Sequence, residues 1–329
     1  DESRIPPGYL YAFLSSKYGV PLVVSGTYGA IIQHIEPTHI ADLPVPRFGD
    51  EFEQKIHGLI NEAANLLSSY QSGIVQATNE LFRLSEIPNP INNEWMLDKS
   101  DLGFAISTSE AEPLRAWNHS LKVTRLKDTI NYGSHSQLND LVDHEWLRWR
   151  MMFKRIDVPP EYGIEVITQR PLFQLFPSGR WISRSYLLNH SSKYMVPDQT
   201  VLIAKQGTLG EDELYCRCEF ITGTRALERA YSDHCMRLVV KDKSIEPGYL
   251  FAFLRSHTGF RLLRSLSEGS KQQDLHWRTV PTIPVPRLNL ESEMQIAEFI
   301  YQAYNAKNCA VDLYLEATKL VEEKIGDNA

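Results

Sequence analysis

The 329-residue chain contains no apolar run that approaches the ~20 residues of a membrane span, and its first residues lack the charged and apolar regions of a signal peptide. Both absences favour a cytoplasmic protein with no membrane partner. The chain has only four cysteines, Cys216, Cys218, Cys235 and Cys309, and no two CxxC pairs at zinc spacing. We therefore expect free thiols rather than disulfides or a zinc site.

The motifs of common catalytic sites are also missing. There is no GxxxxGK[ST] phosphate loop, no GxGxxG after a strand, no GxSxG nucleophile turn and no HExxH zinc motif. Residues 89–92 read NPIN, which only faintly resembles the Asn-Pro-Pro-Tyr motif of amino-group DNA methyltransferases, because the second proline and the aromatic residue are absent. No catalytic residue, metal ligand or bound cofactor is predicted for this chain.

The sequence does contain a duplicated block. Residues 7–14 read PGYLYAFL and residues 247–254 read PGYLFAFL, while PVPR occurs at 44–47 and again at 284–287. Both pairs are 240 positions apart, and 18 of the 47 positions of the first block are identical in the second. Solenoid units repeat every ~20–50 residues, so this period indicates a duplicated domain instead. We expect the chain to hold the end of one copy and the whole of the next.

Each copy is followed by a long helical pattern. Apolar residues recur at steps of three and four over residues 50–85 and again over residues 291–325. Such a helix spans ~50 Å at ~1.5 Å per residue, and Gly58 and Gly73 each weaken the first one by ~1 kcal/mol. We expect the two helices to pair as an antiparallel, coiled-coil-like element. Two independent surface helices on separate cores are the alternative.

The net charge of −7 is distributed unevenly. Residues 48–87 carry six acidic and two basic side chains, and residues 288–329 carry eight acidic and three basic ones. Residues 146–193 hold eight basic and three acidic side chains, and residues 255–287 hold six and two. Two basic regions therefore lie between two acidic helices, so the distribution of charge is more informative than its sum.

Between the long helices the pattern is mixed, so the predicted fold class is α+β. Apolar and basic side chains alternate over residues 146–156 and 180–186, which is typical of strands with one buried and one cationic face. Residues 200–204 read TVLIA, a buried strand, and the polar turn KQGTLG follows at 205–210. A second polar turn with a glycine, SEGSKQQ, lies at 267–273.

These basic strands and turns carry the residue types that bind DNA. Arginine can donate two bonds to guanine, glutamine can pair with adenine, and lysine, serine and threonine hold phosphates, while glycine lets the backbone approach a phosphate closely. We therefore predict one DNA-binding face formed by Arg148, Arg150, Arg155, Arg180, Ser183, Arg184, Lys193, Lys205, Gln206, Gly207, Thr208, Gly210, Ser270, Lys271, Gln272 and Gln273.

Two roles are assigned within that set. Lys193 and Lys271 are the predicted phosphate contacts, and Arg180, Gln206 and Gln273 are the predicted base readers. A solvated basic surface without a ligand explains the same residue types, and residue type alone does not separate the two interpretations.

The order of these motifs resembles the DNA-specificity subunit of type I restriction-modification systems. The block with Gly-Tyr-Leu, a glycine turn, a glutamine and Ile-Pro-Val-Pro lies immediately before a long helix, and this order occurs twice. KQGTLG after an apolar strand is similar to that family's glycine-threonine-aliphatic-glycine turn. The resemblance implies the end of a first recognition domain at 1–47, a spacer helix at 48–87, a second recognition domain at 88–288 and a second spacer helix at 289–329.

The resemblance also implies what the protein does and with what. In that family the subunit is not catalytic: each recognition domain reads one half of a split double-stranded DNA target, and the paired helices fix the gap. Modification (methyltransferase) subunits that carry S-adenosylmethionine dock on the helices, and a restriction subunit that translocates DNA completes a complex for phage defence. The first recognition domain is expected to be incomplete here, since ~150 residues are missing against the 240-residue period.

Two other classes stay open at this point. The same unit could be the recognition part of a single-chain restriction-methylase. A protein scaffold built on the paired helices, without DNA binding, is the structural alternative.

Overall fold

A computed structural model describes residues 5–29, 32–97, 115–150 and 152–327. The chain divides into two compact units, which are residues 1–72 with 303–329 (unit 1) and residues 73–302 (unit 2). The fold is a mixture of helices and small sheets, as the α+β prediction requires. No helix in the described ranges is long and apolar enough to cross a membrane.

The first part of the chain forms mainly helices. Its elements are α1 (Pro7–Leu14), α2 (Gly19–Ser25), β1 (Thr27–Tyr28), β2 (His34–Ile35), α3 (Pro37–Ala41) and the long helix α4 (Asp50–Ser85). The predicted helix near residues 6–17 and the long helix are confirmed. Proline at the first helical position of α1 starts the helix without losing a hydrogen bond, because that N–H has no partner in a helix.

Unit 2 contains most of the β-structure. Its elements are α5 (Asn92–Leu97), α6 (Leu121–Tyr132), β3 (His135–Gln137), α7 (Leu138–Leu141), α8 (His144–Leu147), β4 (Gly163–Ile167), β5 (Arg180–Ser183), α9 (Arg184–His190), β6 (Thr200–Ala204), β7 (Gln206–Gly207), β8 (Cys218–Ile221), α10 (Thr224–Leu227), β9 (Ala230–Tyr231), β10 (Cys235–Leu238), α11 (Pro247–Arg255), α12 (His257–Arg264), β11 (Ser267–Gly269), β12 (Gln273–Leu275) and β13 (Pro284–Pro286). The last helix, α13 (Leu290–Gly326), begins in unit 2 and ends in unit 1.

Among the described residues of unit 2, the strands form four small sheets, with strand orders β10-β6-β8, β5-β4-β9, β11-β12-β7 and β13-β3. Within these sheets the β4–β9 pair is parallel and the other pairs are antiparallel. All five residues of β6 are buried, which agrees with the apolar run that predicted a strand at 200–204.

The long helices touch along their lengths within unit 1. Ile56 and Ile60 of α4 share an apolar cluster with Ala317 and Val321 of α13 and with the buried face of α1. Further along α4, the ring of Tyr70 packs edge-on against that of Tyr304 at 5.4 Å. The earlier residues of α4 thus contact the later residues of α13, and the later residue Tyr70 contacts the earlier residue Tyr304. These two stretches therefore run antiparallel.

The two copies of the duplicated block make the same hydrogen bonds. Tyr9 donates its hydroxyl proton to Pro46 O at 2.6 Å, and Tyr249 donates to Pro286 O at 2.8 Å. The hairpins also keep one register, since β1 pairs with β2 at Thr27↔Ile35 and β11 pairs with β12 at Ser267↔Leu275. The two positions in each of these comparisons differ by 240.

Helices α2 and α12 were not predicted, because the sequence GVP at the start of α2 is typical of a loop. Gly19, at the start of α2, and Gly259, near the start of α12, each allow the chain to turn sharply after the preceding helix. A Cβ on Gly19 would lie 2.1 Å from Phe13 O, and a Cβ on Gly259 would lie 2.3 Å from Phe253 O. Each new helix therefore begins in direct contact with the helix before it.

The predicted strand over residues 146–156 is wrong. The Asp143 side chain accepts hydrogen bonds from the N–H groups of Glu145 and Trp146, which caps the short helix α8. The segment after α8 is irregular and forms only an isolated bridge, from Asp157 to Ile182. The prediction for 180–186 is half right: β5 ends at Ser183, and α9 follows it.

The cysteines are free, as predicted. Burial raises the pKa of Cys218 to about 12 and that of Cys235 to about 11, so both stay protonated. In the part of the chain that the structure describes, no group of three or more His, Cys, Asp or Glu side chains is arranged to hold a metal ion.

Candidate nucleic-acid interface

The sheet β11-β12-β7 brings the two predicted turns together. Its register places Gln273 opposite Gly207 and Asp274 opposite Gln206, while Leu275 N–H donates to Lys205 O at 2.9 Å. Turn 205–210 and turn 270–273, more than sixty residues apart in the sequence, therefore form neighbouring ends of one sheet.

Gly207 has a structural reason to be glycine. Its φ of +157° lies at the edge of the region that L-residues avoid, and a Cβ there would lie 3.0 Å from the Tyr215 side chain. The residues around it differ in exposure: Thr208 and Gly210 are exposed, whereas Gln206 is half-buried. In the other turn, Ser270, Lys271 and Gln272 are exposed.

The basic segment after α8 also reaches this sheet, although it is not a strand. Arg150 pairs with Asp274 of β12 at 3.2 Å. The guanidinium of Arg148 lies over the ring of Trp277 at 4.7 Å, and that of Arg278 lies 5.1 Å from the same ring. Three stretches that the sequence singled out, 148–150, 205–208 and 270–273, therefore converge on one edge of unit 2. We call this convergence the turn surface.

Gln206 is held by two residues that sequence reasoning missed. Gln169 Nε2 donates to Gln206 O at 2.6 Å and Gln169 Oε1 accepts from Gln206 N–H at 3.2 Å, while His234 Nδ1 forms a short hydrogen bond with Gln206 Oε1. Gln169 lies just after β4, and His234 lies in the loop between β9 and β10. Neither residue sits in a motif, so only the fold brings them here.

Lys205 is not an exposed phosphate contact. Its side chain is 4% exposed, and its Nζ lies 3.8 Å from Asp233. Burial lowers the pKa of Lys205, and the nearby Asp233 opposes that shift. In this arrangement Lys205 is part of the support beneath the turn.

Gln273 is also buried. Its Oε1 accepts a hydrogen bond from Arg115 Nη1 at 2.6 Å, and its Nε2 forms a short hydrogen bond with Ser270 O. Both polar atoms of the amide are engaged, so in this geometry the side chain closes its own turn and offers nothing to a base.

Two buried arginines hold the back of the 205–210 turn. Arg264 donates to Leu209 O at 2.6 Å and to Gly210 O at 2.7 Å, and Arg261 pairs with Glu211 at 2.7 Å. Burial is the largest single influence on Glu211 and opposes its ionisation, but the hydrogen bond from Arg261 and the charges of the surrounding arginines together outweigh burial and lower the pKa of Glu211. Much of the positive charge of residues 255–287 is thus internal.

Other predicted contacts form a second group around β5. Arg180 makes two bonds to Asp157, at 2.9 and 2.6 Å, and this pairing lowers the pKa of Asp157. The Ser183 hydroxyl caps α9, and Arg184 donates to Gly163 O at 3.2 Å. Arg155 is exposed near Asp157.

The β5 group and the turn surface are linked through β4. Arg180 lies opposite Val166 of β4, and Gln169 follows the end of that strand by two residues. Lys193 lies elsewhere on unit 2: it pairs with Glu145 at 3.0 Å, and its Nζ is 5.4 Å from the Trp146 ring centre.

Comparisons with known proteins add one resemblance. No protein-family model and no curated protein matches the sequence. Among solved structures, the chain is similar to the S subunit of the type I restriction-modification system from M. genitalium, with 11% sequence identity and a TM-score of 0.41 over 98% of this chain and 72% of that chain.

Proposed function

We propose that unit 2 binds double-stranded DNA and is the sequence-reading part of a non-catalytic specificity subunit of a type I restriction-modification complex. The convergence of residues 148–150, 205–208 and 270–273 on the turn surface is the observation that carries this proposal. These stretches were selected for their residue types alone, and a solvated basic surface gives no reason for them to meet.

The turn surface offers both kinds of contact that DNA recognition needs. Lys271 is exposed and makes no ion pair with any described residue, so its charge is available to a phosphate. The guanidinium groups of Arg148 and Arg278 flank Trp277, where planar donors are held in a defined orientation. Gln206 presents a half-buried amide beside them, ordered by Gln169 and His234.

The finer parts of the proposal concern the partners. The acidic helices α4 and α13 are the proposed docking site of modification subunits, which would supply S-adenosylmethionine and methyl transfer, and a restriction subunit would complete the complex. The shared geometry of the two blocks supports a reader with two halves and a target in two parts.

The direct test is the affinity of the full chain, alone and with modification subunits, for a labelled DNA duplex at several salt concentrations. We expect the logarithm of the binding constant to fall linearly with the logarithm of the salt concentration, because each lysine or arginine that contacts a phosphate releases counterions from the DNA. Absence of salt-dependent binding in both samples would refute the proposal and favour a protein scaffold.

The non-catalytic part needs a separate measurement. The purified chain, supplied with S-adenosylmethionine and duplex DNA, is expected to transfer no methyl groups until modification subunits are added. Methylation by the chain alone would contradict this assignment and favour a restriction-methylase that carries its own catalytic part.

A further inference from the structure

The main chain of Gln206 is held by two neighbours. Its strand, β7, pairs with β12, which places Asp274 opposite Gln206. The side-chain amide of Gln169 bonds both main-chain groups of Gln206, because Nε2 donates to the carbonyl at 2.6 Å and Oε1 accepts from the N–H at 3.2 Å. Only the side chain of Gln206 is therefore left to turn.

The loop between β9 and β10 is anchored beside this residue. His234 O accepts the Lys205 N–H at 3.1 Å, and Asp233 lies 3.8 Å from Lys205 Nζ. The exposed imidazole of His234 takes part in neither contact, and its Nδ1 forms a hydrogen bond with Gln206 Oε1. The imidazole is thus placed against one end of the Gln206 amide by contacts made elsewhere in the loop.

This bond fixes which end of the Gln206 amide is engaged. An amide oxygen can only accept, so His234 Nδ1 carries the ring proton and donates it to Oε1. The other end of the amide, Nε2, bonds no residue that the structure describes, and it is not one of the buried unpaired atoms in that part of the chain. Nε2 therefore reaches the surface as an unused donor. A reversed amide would need the other tautomer, with a bare Nδ1 facing Nε2.

We propose that His234 is a positioning residue that directs the Gln206 Nε2 donor toward DNA, so that the turn surface reads a hydrogen-bond acceptor on one base edge. The inference rests on the proposed function, because it takes the turn surface to be the one that meets DNA. His234 acts through Gln206 and does not itself need to touch a base. A glutamine without such a neighbour presents either end of its amide, and so accepts either kind of base atom.

The orientation of the amide defines the class of base. In the major groove, both purines present N7, guanine also presents O6, and thymine presents O4, all of which accept a hydrogen bond. Cytosine presents there only the donor of its N4 amino group. A base read by Gln206 Nε2 is therefore a purine or a thymine, and cytosine is disfavoured at that position.

The tautomer of His234 tests the orientation without DNA. The full chain is prepared with isotopically labelled histidine, and the ring nitrogens are observed by NMR in mildly alkaline buffer, where imidazole is neutral. His57 Nδ1 accepts the Gly8 N–H at 3.1 Å, so this ring has its proton on Nε2 and is one reference. His190 Nδ1 faces Tyr186 O at 3.0 Å, so this ring has its proton on Nδ1 and is the other. Single substitutions assign the signals, and we expect His234 to match His190.

The base preference is tested with a pool of DNA duplexes of random sequence. The full chain with modification subunits selects from the pool, and sequencing of the bound duplexes gives the preference at each position. The position whose preference disappears in Gln206→Ala is the one that Gln206 reads. We expect the wild type to disfavour cytosine there and Gln206→Glu to favour it, since a carboxylate accepts from the N4 amino group. Preferences are ratios within one pool, so a change in overall affinity does not alter them.

Substitutions of His234 test its positioning role. His234→Ala is expected to reduce the preference at the Gln206 position by roughly fivefold or more, because the amide is then free to turn, and to leave other positions unchanged. His234→Asn is expected to keep the preference, since the asparagine amino group lies near the place of Nδ1 and donates to Oε1. His190→Ala is the matched control: it removes another exposed histidine, from α9, and should change no preference.

The possible failures separate this inference from the proposed function. A His234 ring with its proton on Nε2, or a wild-type preference for cytosine at the Gln206 position, would show that the amide is reversed. A preference that survives in His234→Ala, or that is lost equally in His234→Asn, would remove the positioning role while the other base preferences remain. The inference also fails if Gln206→Ala alters no position. A wild-type pool without any base preference would instead refute the proposed function, and this inference with it.

Discussion

Arg287 holds Glu293 through two hydrogen bonds, from Nε at 2.8 Å and from Nη2 at 3.0 Å, although the Glu293 side chain is fully buried. The same carboxylate accepts the Leu288 N–H at 2.9 Å. Arg47 and Glu53 repeat this arrangement 240 residues earlier. In each copy the repeated PVPR segment is thus tied to the first turns of a long helix, which fixes where the helix starts.

The first-copy ion pair predicts a dependence of stability on pH. Bonding from Arg47 lowers the pKa of Glu53 below its ordinary value of 4.5. Because the folded state holds the lower pKa, the carboxylate contributes stability above 4.5, and that contribution is lost as pH falls through the folded value. Glu53→Gln is expected to cost about 2 kcal/mol at pH 7 and to flatten the fall in Tm as pH drops below 4.5.

Thermal unfolding over a pH series checks this, with Glu62→Gln as the matched control. Glu62 lies on the same helix and is exposed. Its replacement removes the same charge but is expected to leave the pH profile of Tm unchanged. Parallel profiles for the wild type and Glu53→Gln would show that the ion pair adds nothing to stability.

The long helices and the repeat could be predicted because both are strong, local patterns. Steps of three and four over thirty-six residues leave little alternative to a helix, and α4 spans 36 residues as observed. The segment after Asp143 shows the limit. Its alternating Trp and Arg residues are typical of a strand, but a single capping aspartate turns the first of them into a helix. A capping hydrogen bond of this kind produces no periodic pattern of apolar residues in the sequence.

The residues of the candidate site could be predicted from their types, but the role of each residue could not. Residue type selected Gln206 and Gln273 equally, yet Gln206 is half-buried at the turn surface and Gln273 lies beneath it. Gln273 is buried because β12 pairs with β7 in this register and because Arg115 donates a hydrogen bond to its side chain. Arg115 lies 158 positions from Gln273 in the sequence. Long-range partners of this kind cannot be read from local patterns, and the same holds for Gln169 and His234.

Lys271 provides the clearest test of a phosphate contact. It is exposed, and no described residue pairs with it. Lys271→Ala is expected to weaken binding about equally on all duplexes. It should also reduce the salt slope, which is the slope of the logarithm of the binding constant against the logarithm of salt concentration, by roughly one ion. Fluorescence anisotropy at several salt concentrations, with the chain alone and with modification subunits, measures both quantities.

Lys55→Ala is the matched control for that measurement. Lys55 is an exposed lysine of α4 that is not among the predicted DNA-binding residues, and its loss changes the net charge by the same amount. Its salt slope is expected to equal that of the wild type. An equal loss of slope in both variants would mean that overall charge, rather than a contact at the turn surface, governs binding.

Gln206 and Gln273 are expected to respond differently to the same substitution. Gln206→Ala should cost ~1–3 kcal/mol on the cognate half-site and little on a scrambled duplex. Gln273→Ala removes one of the two acceptors of Arg115 Nη1 and the donor to Ser270 O, so it should lower stability by about 1–3 kcal/mol instead. Parallel thermal unfolding and binding titrations separate the two effects. If Gln273→Ala kept its Tm and lost discrimination between duplexes, its amide would be a base reader after all.

Arg264 is expected to support the reading turn without touching DNA. It is buried, and it bonds the carbonyls of Leu209 and Gly210 while its guanidinium lies 4.2 Å from the Phe260 ring centre. Arg264→Met should destabilise unit 2 by about 3 kcal/mol, because two carbonyls lose a charged donor. It should also speed amide exchange over residues 207–211.

DNA binding distinguishes this role from that of a direct contact. Arg264→Met is expected to weaken binding while leaving the salt slope unchanged, since no phosphate contact is removed. Arg255→Met is the matched control, because Arg255 is exposed one helix earlier and makes no hydrogen bond to a described residue; its exchange over 207–211 and its Tm should match the wild type. A normal Tm together with a slope reduced by about one ion in Arg264→Met would instead identify Arg264 as a phosphate contact that becomes exposed when DNA binds.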